Sequence, residues 1–136
     1  MKRFAAITLA LILALICVPV TAEKADREIE GNLAVFTTAE DFAAGKLENV
    51  VTDESIGNGA IVLKEGESEG TYTSVVLGTA PFEYMVASWG SDTPTGTWIE
   101  VSARAYVDMK KGWTEWLSWG KWSDSVKRGS VSGECD

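Results

Sequence analysis

One stretch of ten residues decides the fold class: Trp98-Ile99-Glu100-Val101-Ser102-Ala103-Arg104-Ala105-Tyr106-Val107. Its odd-numbered positions are all apolar, whereas most of its even-numbered positions carry polar or charged side chains. Alternation with a period of two predicts a β-strand with one buried face and one face open to solvent or to a ligand. We therefore expect Val101 and its odd-numbered neighbours to face a core, and Glu100, Ser102 and Arg104 to face outward.

The residues around this strand form further short β-rich stretches, separated by glycine, proline and polar turns. Strands are predicted at 33–37, 60–64, 71–77 and 82–89, and a hairpin turn at 108–112 leads into a last, tryptophan-rich strand. A tight turn is predicted at 56–60, and one short helix at 38–44, with Thr38 as N-cap and Gly45 as stop signal. Closely spaced strands with almost no helix predict an all-β fold, an antiparallel β-sandwich or jelly roll. A further strand beginning at 130–132 is cut short, so the sandwich is expected to be incomplete at its C-terminus.

The first 22 residues have the features of a signal peptide. Lys2 and Arg3 precede an apolar run over 4–18, and Val20-x-Ala22 predicts cleavage before Glu23. The run is shorter than the roughly 20 apolar residues that span a bilayer, so we expect only transient membrane contact, through the signal. A secreted or cell-envelope protein is therefore predicted, with a flexible polar lead-in at 23–32 and the β-sandwich domain at 33–136. Cys17 suggests lipidation, but Ile16 stands where that signal needs a small residue.

Composition excludes several classes of function. The 136 residues carry 12 Lys+Arg and 20 Asp+Glu, a net charge of −8, which disfavours nucleic acid as a partner. Loss of the signal removes two bases and no acid, leaving a net charge of −10. The chain has no histidine, so the commonest general base, the commonest zinc ligand and every Cys-His pair are missing. We therefore predict no catalytic residue, no metal and no cofactor. Cys135, the one cysteine after the signal, is either a free thiol or paired between chains.

The tryptophans are the candidate ligand-binding residues. Six of them lie within 89–122, and four repeat every third residue from Trp113. On a regular strand Trp113 and Trp119 point one way, and Trp116 and Trp122 the other. Each tryptophan taken singly is better explained by core packing, because a buried ring covers about 150–250 Å². A surface tryptophan, however, suits stacking on a sugar ring beside side chains that bond its hydroxyls. The candidate residues are Trp98, Glu100, Arg104, Trp116, Trp122 and Asp92.

Other chemistries have weaker support. The alternating acids Glu65, Glu67 and Glu69 offer oxygen ligands for Ca²⁺, but a solvated acidic loop is the better interpretation. Pairs of carboxylates suitable for a glycosidase occur in any chain with 20 acids. The Trp-x-x-Trp spacing is similar to the tryptophan ladder of thrombospondin type 1 repeats, in which arginines stack between tryptophans. Those modules need several disulfides, and no matching arginine strand is expected here.

Five segments in order resemble a known family: 70–74, 81–83, 88–94 (Ser-Trp-Gly-Ser-Asp-Thr-Pro), 96–101 and 113–122 (Trp-Thr-Glu-Trp-Leu-Ser-Trp-Gly-Lys-Trp). They are similar to the N-terminal β-sandwich region of secreted bacterial proteins with a bacteriocin-processing-type, C39-like cysteine peptidase domain. The resemblance covers about 33–134. It implies a peptidase domain, with a nucleophilic Cys and a His, after the sandwich. No residue of this chain matches that pair, so the chain looks like a truncated or split member.

The resemblance leads us to expect a non-catalytic accessory domain. Such a domain docks a partner such as a peptidase domain, or holds an enzyme near wall polymer or peptide. The alternative is a free-standing carbohydrate-binding module that uses surface tryptophans. Exposed tryptophans on one face favour the module, and tryptophans buried between sheets favour docking. A glycosidase-like enzyme and a remnant without function are the remaining alternatives.

Overall fold

The computed structural model describes residues 25–125, in which ten short strands accompany one helix of five residues. The all-β class is therefore confirmed. The strands are β1 Arg27–Glu28, β2 Lys46–Glu48, β3 Val50–Asp53, β4 Ala60–Leu63, β5 Thr71–Thr73, β6 Leu77–Gly78, β7 Ile99–Ala103, β8 Tyr106–Val107, β9 Gly112–Trp113 and β10 Leu117–Trp122; the helix is α1 Ala39–Ala43. The strands form five two-stranded sheets, so the predicted sandwich is matched only in part. Within 25–125 no helix is long and apolar enough to cross a membrane.

Residues 46–73 form a long hairpin, here termed the N-terminal hairpin. Its ladder of paired residues is interrupted once. β3 pairs with β4 from Val50↔Leu63 to Asp53↔Ala60, and β2 pairs with β5 farther from the turn. Asn49, with φ of 56°, separates β2 from β3, and its carbonyl accepts a hydrogen bond from the Lys64 amide at 3.0 Å. The acidic loop at 65–69 therefore leaves the hairpin between the two paired segments.

The helix α1 begins at the predicted cap. Thr38 Oγ1 accepts a hydrogen bond from the Asp41 amide, and Asp41 Oδ2 accepts one from the Thr38 amide, both at 3.1 Å. This reciprocal capping box supplies partners for backbone donors that a helix start leaves free. Arg27 reaches Asp41 from β1, with 3.3 Å between the guanidinium nitrogen and the carboxylate. The predicted helix and its cap are confirmed.

The helix packs on the turn of the N-terminal hairpin. The Ala39 amide donates to the Asn58 carbonyl at 3.3 Å, and Gly59 adopts a φ of 136° where an added Cβ would collide with the Ala39 backbone. The glycine-rich turn predicted at 56–60 is confirmed, and close approach explains why Gly59 carries no side chain. Ala39 and Val50 are 8% and 6% exposed, and they are the buried apolar side chains among residues 25–125.

Residues 99–122 form a second long hairpin, the C-terminal hairpin. β7 pairs antiparallel with β10, and β8 with β9 nearer the turn at 108–111. The alternation predicted for 98–107 is confirmed at 99–105, where odd positions are half-buried and even positions exposed. The strand is shorter than the predicted 98–107, because its pairing with β10 stops at Arg104. There the Ala105 amide donates to the Thr114 hydroxyl at 3.1 Å rather than to a strand carbonyl.

The predicted strand at 33–37 is wrong, since those residues form no regular structure. Leu33 and Val35 are 70% and 47% exposed. The Thr37 amide donates to the Asp41 carboxylate at 3.1 Å, which commits the end of this segment to the helix cap.

Two further predictions need correction, and two strands were not predicted. The predicted strand at 82–89 is irregular, because β-propensity alone does not provide a partner strand. The lead-in at 23–32 contributes β1, whose residues pair in parallel with β6. Strands β2 and β3 are not predicted from the sequence. The signal peptide, its cleavage site, both cysteines and the segment at 130–132 lie outside the described residues.

Candidate ligand-binding groove between the two hairpins

The register of the C-terminal hairpin decides which side chains share its outer face. Ser118 lies opposite Ser102, and Lys121 lies opposite Glu100. Paired residues in an antiparallel ladder project to the same side of the sheet. The outer face therefore carries alternating hydroxyl and charged groups, and all four of these residues are exposed.

Cations lie over aromatic rings along this outer face. The Lys121 ammonium is 3.7 Å from the centroid of Trp98, and the Arg104 guanidinium is 4.7 Å from Trp113 and 4.9 Å from Trp116. Such cation–π contacts contribute about 0.5–1 kcal/mol each at exposed sites. The contact of Arg104 with two indole rings is not predicted from the sequence.

The carboxylate of Glu100 lies between these two cation–π groups. It accepts a hydrogen bond from the hydroxyl of Ser118 on the neighbouring strand. The Ser118 hydroxyl also accepts from the Gly120 amide at 2.9 Å, which orients it toward the carboxylate. The hydrogen bond from Ser118 thus positions the Glu100 carboxylate, and the remaining lone pairs of its oxygens can accept further hydrogen bonds.

A groove of about 250 Å³ lies between β5 of the N-terminal hairpin and the outer face of the C-terminal hairpin. Its lining combines residues that carry hydroxyl, carboxylate and aromatic groups: Thr71, Tyr72, Thr73, Glu100, Ser102 and Trp116. Thr73 and Glu100, the lining residues of the two hairpins that are nearest in sequence, are 27 positions apart. The structure brings the two sides together in one concave surface.

Tyr72 connects the groove to the capped helix. Its ring packs edge-on against Phe42, with 5.6 Å between centroids, and its hydroxyl donates to the Asp41 carbonyl at 3.5 Å. Burial, followed by the negative charge of Asp41, raises the pKa of Tyr72 above its ordinary value of 10.0. Tyr72 therefore presents a neutral phenol at neutral pH.

The predicted site residues fall into three groups. Glu100 and Trp116 line the groove, whereas Trp98 and Arg104 lie on the same outer face beside it. Trp98 and Trp116 are 51% and 52% exposed. Asp92 is exposed but is not part of the lining.

The predicted position of Trp122 is wrong. The β10 register shifts between Ser118 and Lys121, where Gly120 adopts a φ of 80°. This bulge places Trp122 opposite Ile99, on the inner face, whereas Trp116 is on the outer side.

Sequence reasoning missed four residues of the lining, namely Thr71, Tyr72, Thr73 and Ser102. The outward position of Ser102 follows from the strand alternation, but nothing local indicates that β5 faces it. In residues 25–125 no cluster of three or more His, Cys, Asp or Glu side chains is placed to hold a metal ion.

The described residues define a small all-β domain with a mixed polar and aromatic groove. The sequence profile of the family described as Peptidase C39 N-terminal domain matches residues 32–136, so the chain belongs to that family. This confirms the resemblance predicted for 33–134. The match concerns the N-terminal domain of these peptidases and not their catalytic domain. No curated protein and no solved structure gives a significant match.

Proposed function

We propose that this chain is an exported, non-catalytic N-terminal domain that docks to the catalytic domain of a C39-like peptidase. The observation that carries the proposal is an exposed segment at 82–86 in which every residue except Glu83 is apolar or aromatic, here termed the apolar strip. The family match supports the identity of the partner, because its members are N-terminal domains of such peptidases.

The apolar strip is unusually exposed for its composition. Tyr84 and Val86 are 87% and 89% exposed, and Phe82 and Met85 are 51% and 47% exposed. All residues from 79 to 86 are exposed, and the strip belongs to no helix or strand. Folded monomers rarely expose large contiguous apolar patches, and those that do use them mostly for interactions. The backbone of the strip is also free to pair with a strand of a partner.

The small core of the described residues favours the same interpretation. Ala39 and Val50 are the two apolar side chains that are buried in 25–125, and both lie in or beside the N-terminal hairpin. A domain of this size buries a modest fraction of its surface when it folds alone. Covering the apolar strip with a catalytic domain would add the burial that the isolated domain lacks.

The absence of histidine from all 136 residues supports a non-catalytic role. A thiol with an ordinary pKa near 8.5 is mostly protonated at neutral pH, and a cysteine peptidase activates it with a positioned base. Neither Cys17 nor Cys135 can find an imidazole within this chain. A basic start followed by an apolar run supports export.

Binding to a purified catalytic domain tests the proposal. The probe is the catalytic domain of a C39-like peptidase encoded in the same genome, titrated with this chain in a calorimeter. Replacing both Tyr84 and Val86 with Ser should weaken binding by at least tenfold, since central apolar anchors dominate interfaces at about 2 kcal/mol or more each. Met109→Ser is the matched control, because Met109 is 96% exposed at the turn of the C-terminal hairpin, outside the apolar strip.

Two results would contradict docking. One is a lack of binding to the catalytic domain, and the other is an equal loss of affinity from the Met109 control. Thiol-dependent peptide hydrolysis by the purified chain that Cys135→Ala abolishes would contradict the non-catalytic role.

A further inference from the structure

We propose that the groove between the two hairpins binds one neutral hexopyranose residue of a polysaccharide, with Trp116 as the stacking surface. This site is separate from the apolar strip, so sugar binding and docking to a catalytic domain can be tested independently.

The chemistry of the lining matches a sugar ring. Thr71, Thr73 and Ser102 offer hydroxyls that both donate and accept, and Glu100 offers acceptor sites beyond the one used by Ser118. A hexopyranose presents hydroxyls around its rim and apolar C–H groups on its two faces. An arrangement of hydrogen-bonding groups beside one indole can therefore satisfy both parts of the ligand.

Trp116 is held in place for stacking without being covered. The Arg104 guanidinium lies 4.9 Å from the ring centroid, and the residue is still 52% exposed. Since Arg104 also contacts Trp113, it fixes the first indole against the second. A cation on one side of Trp116 leaves the opposite side available for a ligand.

The charge and the size of the groove narrow the ligand class. Glu100 is the charged residue of the lining, and the chain carries a net charge of −8; these charges favour a neutral sugar over uronic acids and phosphate-bearing polymers. The groove volume of about 250 Å³ lies just below the ~300–1,000 Å³ of pockets for drug-sized ligands. One sugar ring suits this volume, and the rest of a polysaccharide would extend past the open ends.

The test is calorimetric titration of the full exported chain with three neutral probes: cellotetraose, chitotetraose and maltotetraose. At least one should bind saturably with a Kd of about 1 mM or tighter. Trp116→Ala should weaken that binding by about tenfold or more, because it removes the stacking surface. Ile56→Ala is the matched control, since Ile56 is a large apolar side chain that is 51% exposed at the turn of the N-terminal hairpin, outside the lining. It should change the affinity by less than about twofold.

Ser102→Ala keeps the test decisive if Trp116→Ala does not fold. It removes one hydroxyl of the lining from an exposed position and should weaken binding by about three- to tenfold. The proposal is overturned if none of the three probes binds, or if Ile56→Ala weakens binding as much as Trp116→Ala. It is also overturned if a neutral peptide, acetyl-Gly-Phe-Gly-amide, occupies the groove and the sugars do not displace it.

Discussion

The two hairpins share one architecture but are held together in different ways. Each is a long antiparallel hairpin whose ladder is interrupted, at Asn49 in the first and at Arg104 in the second, and the second also contains the bulge at Gly120. The N-terminal hairpin contains buried Val50 and carries the capped helix on its turn. The apolar side chains of the C-terminal hairpin are at most half-buried, and cations pack over its outward-facing tryptophans.

This difference gives the two hairpins different roles: the first contributes stability, and the second presents exposed side chains. Burial of apolar side chains stabilises the first hairpin, and buried positions tolerate substitution poorly. Cation–π contacts on an exposed face contribute less, but they orient aromatic rings without removing them from solvent. The groove lies where the two meet, with one wall from β5 and the exposed indole of Trp116 from the second hairpin.

The largest expected effect is that of Val50→Asp. Val50 is 6% exposed, and a carboxylate there would lie unpaired among apolar groups. We expect it to lower the free energy of unfolding by more than about 3 kcal/mol, measured by urea denaturation followed by circular dichroism. Val51→Asp is the control, because Val51 is 39% exposed on the other face of the strand. Equal losses for both would show that the N-terminal hairpin is not stabilised by burial.

The next effect concerns the faces of β7. Val101→Asp should lower the free energy of unfolding by about 1.5–3 kcal/mol, because Val101 is half-buried on the inner face. Ser102→Asp, one residue farther along, should change it by less than about 1 kcal/mol, because Ser102 is exposed. Thermal unfolding of the two variants measures the difference. Indistinguishable melting temperatures would disprove the strand register.

The third effect is that of the helix cap, and it depends on pH. Thr38→Ala should cost about 1 kcal/mol at neutral pH, because it removes one half of the capping box. The Thr37 amide and then the Thr38 hydroxyl hold the pKa of Asp41 below its ordinary value of 3.8. A lowered pKa contributes stability that is complete above 3.8 and is lost as the pH falls through the folded-state value.

The difference in melting temperature between wild type and Thr38→Ala should therefore shrink as the pH falls below 3.8. Glu40→Gln, in the same turn but outside the capping box, is the control and should change the pH profile little. A difference that is constant from neutral to acidic pH would contradict the role of Asp41 in the cap.

The smallest effect on stability is expected from Arg104→Ala. One exposed guanidinium makes both ring contacts, so the loss should be below about 1 kcal/mol. The fluorescence of the tryptophans should change more clearly, because Trp113 and Trp116 lose the group between them. Unchanged fluorescence together with unchanged stability would show that the cation–π contacts do not order this face.

Local patterns in the sequence predict the parts of the fold that local forces decide. The alternation at 99–105, the cap at Thr38 and the glycine turn at 56–60 all depend on neighbours within a few residues. β2 and β3 were not predicted because they are only three and four residues long and their partners lie up to 27 positions away, as for Lys46 and Thr73. The irregular segment at 82–89 has β-forming residues without a partner strand.

The candidate site was predictable to the same extent. Glu100 and Trp116 follow from strand alternation and residue chemistry, and both line the groove. Trp122 was misplaced because the bulge at Gly120 adds one residue, which reverses the face of everything after it. The threonines of β5 needed the arrangement of the two hairpins, which no local signal contains.

Hydrogen–deuterium exchange of this chain, alone and with the C39-like catalytic domain, tests docking most directly. Alone, the amides of β3 and β4 should exchange most slowly, and those of the apolar strip should exchange fastest. Adding the catalytic domain should slow exchange at the apolar strip and leave β3 and β4 unchanged. Unaltered exchange at the apolar strip when the two proteins are mixed at saturating concentration would contradict the account.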